Sequence, residues 1–183
     1  MELTKAIYER RSIRKYQNAE ISKEEIEELI KAAQMAPSWK NSQTARFFVA
    51  HSKEYKEKMI DALPSFNKDR ARDASCVIVT AIVKGISGYN ADGEAITHLG
   101  NGFECFDNGL AVENICLKAY EMGYGTLIMG LYKEQVIREI FEIPDTMAIA
   151  TVVAVGKADI SPDTPERNAL NEVLTIKWET EKL

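Results

Sequence analysis

Arg10-Arg11-Ser12-Ile13-Arg14-Lys15 puts four cations and a hydroxyl into six consecutive residues of an otherwise acidic chain. Guanidinium forks match phosphate oxygens two at a time, and a serine hydroxyl adds a donor, so the run reads as a candidate anion site. A solvated basic helix end, favoured by the helix dipole, explains the same composition. Pro37-Ser38-Trp39-Lys40-Asn41-Ser42-Gln43 concentrates amides and hydroxyls. Asn and Gln each offer a donor and an acceptor, which suits the edge of a uracil-like heteroaromatic ring. A polar loop between a helix and a strand is the plainer reading. Gly123-Tyr124-Gly125-Thr126-Leu127-Ile128-Met129-Gly130 can bring backbone close to a cofactor or a neighbouring helix, or can simply turn the chain. Arg167 stands in a tail that otherwise repeats acidic residues and prolines, where a lone arginine usually just meets solvent.

Several common chemistries lack their residues. The two histidines, His51 and His98, have no partner at metal-ligand spacing. No GxGxxG follows a strand, and neither a GxxxxGK[ST] loop nor a GxSxG elbow occurs. Cys76, Cys105 and Cys116 form no CxxC pair, and no local sequence supports a Cys–His nucleophile. Reactivity would then come from an organic cofactor held by ordinary side chains. A net charge of −5 argues against nucleic acid, which needs a basic face.

The elements that must position these residues are legible. Ser22 followed by Glu25 is a capping box, and Ile26, Leu29, Ile30 and Ala33 then share one helical face up to Pro37. Helices are also expected over Leu3–Arg10, Lys53–Leu63, Phe103–Met122 and Lys133–Phe141. In the long one, Phe103, Phe106, Leu110 and Leu117 line one side, and Gly123 suits its C-terminus. Cys76–Val83 and Met147–Val155 are continuous apolar runs, as in strands covered on both faces, and Phe47–Ala50 reads as a shorter one. Helices interleaved with buried strands predict an α/β or α+β domain, one domain over 1–183, without repeats or linkers. The apolar Leu170, Val173, Leu174, Ile176 and Trp178 of the 157–183 tail either return to this core or wrap a partner. The N-terminus carries no apolar signal segment, no run approaches the roughly 20 residues of a membrane span, and the odd thiol count suits a reducing compartment. The expectation is a cytoplasmic, soluble protein.

Order and spacing say more than any one motif. RRSIRKY, then APSWKNSQ, then FDNGLAVENICLKAYEMGYGT, then the Pro165, Arg167, Leu170, Glu172, Val173 pattern span nearly the whole chain. This succession resembles the nitroreductase family.

The resemblance implies an α+β, three-layer fold, with a mixed central sheet flanked by helices and a C-terminal arm exchanged in a homodimer. It also implies a non-covalent FMN between two subunits. Arg10 and Arg167, joined by Ser12 and flanked by Arg11, would hold its phosphate, and Arg14 would contact the ring. Pro37, Ser38, Trp39, Asn41 and Gln43 would come from the other subunit, and Met129, Gly130 and Leu131 would line the opposite side. Electrons would pass from NAD(P)H to nitroaromatic, quinone or similar acceptors by a ping-pong hydride mechanism, without a protein nucleophile or a metal. The chain departs from the family at Gln43-Thr44-Ala45, where Gln-Pro-Trp is frequent, at Asn168-Ala169, and at Leu131, which could narrow the pocket. Residues 85–102 match nothing specific and are expected to cover the substrate. Two other functions fit the same fold: a flavin-binding storage or sensing protein, or a variant that dehalogenates, desaturates or fragments its bound molecule.

Overall fold

The computed structural model describes residues 2–177, and Trp178 of the tail lies outside them. The chain runs α1 (Leu3–Glu9), α2 (Lys23–Gln34), β1 (Ala45–Ala50), α3 (Lys53–Asp61), α4 (Ser65–Ala71), β2 (Cys76–Val83), α5 (Gly102–Glu121), β3 (Gly125–Met129), α6 (Glu134–Phe141), β4 (Met147–Gly156) and α7 (Leu170–Val173).

The two continuous apolar runs, β2 and β4, form the inner strands of a sheet ordered β1-β2-β4-β3. Strand residues alternate between faces, and each face buries a separate cluster. Val77, Val79, Val152 and Ala154 pack with Met59, Ala71 and Ile137 of α3, α4 and α6. Cys76, Ile78, Val153 and Val155 pack with Leu29 and Ala33 of α2 and Ala111 and Ile115 of α5. Helices therefore cover both faces, giving the three layers and the α+β class. Removing Leu29 or Ile115 from water, both fully buried, stabilises by about 1.5–3 kcal/mol each. Among the described residues, no helix is long and apolar enough to cross a membrane.

All four strands pair antiparallel, with Ile78 opposite Val153 and Leu127 opposite Ala154. A parallel direction enters the described sheet only at the isolated Ser12–Thr126 bridge, on the outer edge of β3. The mixed character expected from the resemblance is limited to that bridge.

Local signals hold where they are strong. Ser22 Oγ accepts from Glu25 N at 3.1 Å while Glu25 Oε2 accepts from Ser22 N at 2.8 Å, so both halves of the capping box are present. Two elements have weak local signals. β3 is short and begins with glycine, so it reads as a turn until β4 pairs with it. α4 has the polar sequence SFNKDRA and owes its place to Pro64 and to packing.

The expected apolar side of α5 is corrected. Its buried residues are Glu104, Asp107, Asn108, Ala111, Val112, Ile115, Cys116 and Ala119, while Phe106 is 55% exposed. Alanines at 111 and 119 let the helix approach the sheet, which leaves the bulky side chains outside. Leu170, Val173, Leu174 and Ile176 are likewise exposed and do not return to the core of their own chain.

Candidate functional site

The arginine run is placed by one edge of the sheet. α1 ends where the Arg10 amide donates to Ala6 O at 3.0 Å, and Ile13 N then donates to Thr126 O of β3 at 2.9 Å. Gly125 permits that approach, since a Cβ there would lie 2.8 Å from Ile13 Cβ and closer still to its Cγ1. Just past β4, Gln17 N donates to Lys157 O at 2.9 Å, and Asp159 N to Lys15 O at 3.0 Å, which brings the tail alongside. As a result Arg10, Arg11, Ser12 and Arg14 meet Arg167 around a cavity of about 370 Å³, completed by Pro162, Asp163 and Pro165. Residues more than 150 positions apart in the sequence thus line one cavity.

Its electrostatics suit an anion. Four guanidinium groups face one carboxylate, Asp163, among the lining residues. Arg11 is spoken for: Nη1 donates to Tyr8 O and Arg10 O at 2.7 Å each, and Nη2 to Thr164 Oγ1. Arg14 makes one long bond, Nη1 to Ser12 O at 3.3 Å. Arg10 Nε lies 3.3 Å from Glu113 Oε1 but is buried without an aligned hydrogen bond. A buried donor left unmade costs about 1–3 kcal/mol, so Arg10 is poised for an acceptor. A phosphate fits this cavity.

The amide loop is held in an uncommon conformation. Lys40, Asn41 and Gln43 have φ of 47°, 55° and 50°, a region that costs non-glycine residues energy unless the surroundings enforce it. Ser38 Oγ accepts from Gln43 N at 3.0 Å, and Trp39 N donates to Asp107 Oδ2 at 2.9 Å. The Trp39 ring meets Phe103 edge-on, with centroids 4.8 Å apart. Pro37, Ser38 and Gln43 line a cavity of about 300 Å³ together with Thr44 and Asp107. Trp39, Lys40 and Ser42 line another of about 320 Å³, whose far wall is Gly85, Ile86, Tyr89, Asn90 and Ala91. Asn41 is exposed and lines neither. Neither cavity shares a lining residue with the arginine cavity.

Met129 is 3% exposed, with its side chain in the core, so only its backbone could face a ligand. Gly130 and Leu131 are exposed just beyond β3 and line none of these three cavities.

Several residues of this region escape motif reading. Glu104 and Asp107 are buried carboxylates on α5, and Glu104 Oε1 accepts from Gly85 N at 2.5 Å. Their signal is spacing: with Ala111 and Ile115 they recur at three and four residues, on the buried face. Among the described residues, the buried side-chain atoms without partners are Arg10 Nε, Trp39 Nε1, Ser42 Oγ, Thr44 Oγ1, Thr97 Oγ1 and Asn108 Oδ1. All belong to the arginine run, the amide loop and the residue after it, the 85–102 segment or α5. Such atoms are rare in folded proteins, and those beside the cavities are candidate points of contact for a bound group. Burial pushes the Cys76 thiol up to about 12 and that of Cys116 up to about 11, which keeps both protonated and unreactive.

The nitroreductase family profile matches residues 7–157, and the chain belongs to that family. A relative from Archaeoglobus fulgidus, provisionally named an NADH dehydrogenase/NAD(P)H nitroreductase, is 34% identical over 159 residues, covering 85% of this chain and 84% of its own. A Bacillus subtilis protein, provisionally named an NAD(P)H nitroreductase, is 32% identical over 178 residues, covering 81% and 85%. A nitroreductase-like structure from Exiguobacterium sibiricum, solved in complex with FMN, is 26% identical with a TM-score of 0.84, covering 97% of this chain and 98% of that one.

Proposed function

We propose that this chain is an FMN-dependent oxidoreductase that takes electrons from NAD(P)H and passes them to nitroaromatic, quinone or similar acceptors. The observation that carries it is the arginine cavity, with a buried Arg10 Nε lacking a hydrogen bond, in a chain whose structural relative holds FMN. When bound, FMN supplies reversible hydride chemistry that no side chain here offers.

The residues of the chain bind and orient. Arg10 and Arg167 offer guanidinium forks to the phosphate, with Ser12 adding a hydroxyl. Arg14, more exposed, is left for the ring, where a cation offsets charge that builds up on reduction. Ser38, Asn41 and Gln43 bring donors and acceptors on a loop with a locked backbone. Met129, by its backbone, and the exposed Gly130 and Leu131 would bound the site only in the assembled pair of chains, since they line none of the three cavities of a single one.

The active unit is a homodimer, cytoplasmic, with a single domain in each subunit. Exposed Leu170, Val173, Leu174 and Ile176, together with the Phe106 side of α5, form apolar surface that a second copy would bury. In that arrangement the tail wraps the partner, and the amide loop of one chain meets FMN held by Arg10 of the other. The separateness of the arginine and amide-loop cavities supports a site divided between chains.

The test is direct. Purified protein should be yellow and release FMN on denaturation. It should oxidise NADH or NADPH with nitrofurazone or menadione as acceptor. FAD as the sole bound flavin would reject the cofactor assignment, and bound FMN without turnover would leave a storage or sensing protein.

A further inference from the structure

We infer that Asp107 is a positioning residue that joins the amide loop and the start of the 85–102 segment into one unit, and so sets the width of the cavity between them. The inference rests on the oxidoreductase reading and adds to it that this cavity admits the electron acceptor.

Asp107 is 4% exposed, and one of its oxygens takes two bonds. Trp39 N donates to Oδ2 at 2.9 Å, and Ser87 Oγ donates to the same atom at 2.5 Å. Burying a carboxylate is costly unless it is well bonded, so these two donors help hold the charge inside and are themselves held by it. Ser87 is fully buried, which leaves its hydroxyl no water to turn to. Both tied segments also rest on the first turn of α5. The Trp39 ring packs on Phe103, and Gly88, at φ +86°, sits so near that an added Cβ would be 3.0 Å from Phe103 Cβ. Glu104 Oε1, holding Gly85 N at 2.5 Å, anchors the same segment two residues before Ser87.

Between the tied segments lies the cavity of about 320 Å³. Trp39, Lys40 and Ser42 form one wall, and Ile86, Tyr89 and Asn90 the other. Two aromatic residues, an aliphatic side chain and one ammonium suit a planar aromatic compound carrying electron-rich oxygens, as quinones and nitroarenes do. Lys40, Asn41 and Gln43 hold positive φ on the loop side, so releasing Trp39 N gives that wall a favourable way to relax. Asp107 does not itself line this cavity, yet it bonds Trp39 of one wall and Ser87, next to Ile86 of the other.

Hydrogen exchange of the full, FMN-loaded protein, read on peptides covering 37–44 and 85–97, tests the tie. Ser87→Ala should raise exchange in both peptides, although Ser87 makes no bond to the amide loop. The same variant should raise the KM for menadione by roughly five- to tenfold, with a smaller change in kcat and unchanged flavin content. Asp107→Ala should exceed it on every readout, and Asp107→Asn, which keeps an acceptor oxygen, should fall between Asp107→Ala and wild type. Faster exchange confined to 85–97, or a KM at the wild-type value in Ser87→Ala, overturns the inference. If both peptides loosen but the wild type reduces no acceptor, the tie stands and the oxidoreductase reading falls.

Discussion

Arg10 Nε lies 3.3 Å from Glu113 Oε1 across the gap between α1 and α5, near enough to attract and too poorly aligned to bond. Arg10 of the anion site therefore shares its charge with a carboxylate of α5 that does not line that site. Glu113 is half exposed, so the pair is worth at most about 1 kcal/mol. Glu113→Gln should change the melting temperature little. It should tighten FMN by up to about fivefold, because it removes a competing negative charge. Flavin fluorescence titration measures this, and weaker binding would show that Glu113 orients Arg10 instead.

Arg10→Ala and Arg167→Ala should each weaken FMN by about 1.5–3 kcal/mol, the worth of a charge-assisted hydrogen bond. The melting temperature should fall with cofactor loss, since FMN stabilises only the folded state. Unchanged flavin retention in both variants would place the phosphate elsewhere.

Gly125→Ala should destabilise the protein by about 1–3 kcal/mol, the usual cost of overpacking. The new methyl would meet Ile13 Cβ at 2.8 Å, pushing the arginine run off β3. FMN affinity should fall along with stability. Adding Ile13→Ala removes Cγ1, the atom nearest the new methyl, so the two substitutions together should cost less than the sum of their separate losses, as a double-mutant cycle in denaturant would show.

The capping box sets a dependence on acid. Glu25 is held below its ordinary value of 4.5, first by the hydrogen bond from Ser22 N and then by one from the Tyr124 hydroxyl at 2.9 Å. Its folded pKa is below its unfolded one, so its stabilisation is fully present above 4.5 and is lost as pH falls through the lowered value. Glu25→Gln should melt below wild type at neutral pH, and the gap should close in stronger acid. Thermal melts across that range check the sign, and a gap that widens in acid would refute it.

Deleting residues from Leu170 onward should release the partner and the cofactor together. The four apolar side chains left exposed in one chain are the reason. Light scattering with flavin content, wild type against truncation, decides it. A wild-type monomer with stoichiometric FMN would sink the divided site.

Taken alone, the sequence determined whatever depends on neighbours in the chain. The runs CVIVTAIV and MAIATVVAV read as strands covered on both faces. Ser22 and Glu25 set the start of α2, and four ordered motifs identified the family. Tertiary structure decided what depends on distant partners. β3 exists because β4 pairs with it, and α5 buries its polar and small side because alanines approach the sheet more closely than Phe106 can. Arg167 reaches Arg10 because β4 delivers the tail beside residues 15–17. Asp107 looks like any helical carboxylate until Trp39 N and Ser87 Oγ are found on one of its oxygens. Local propensity and pattern are written over a few residues, whereas these contacts join segments tens of residues apart, where only packing selects the partner.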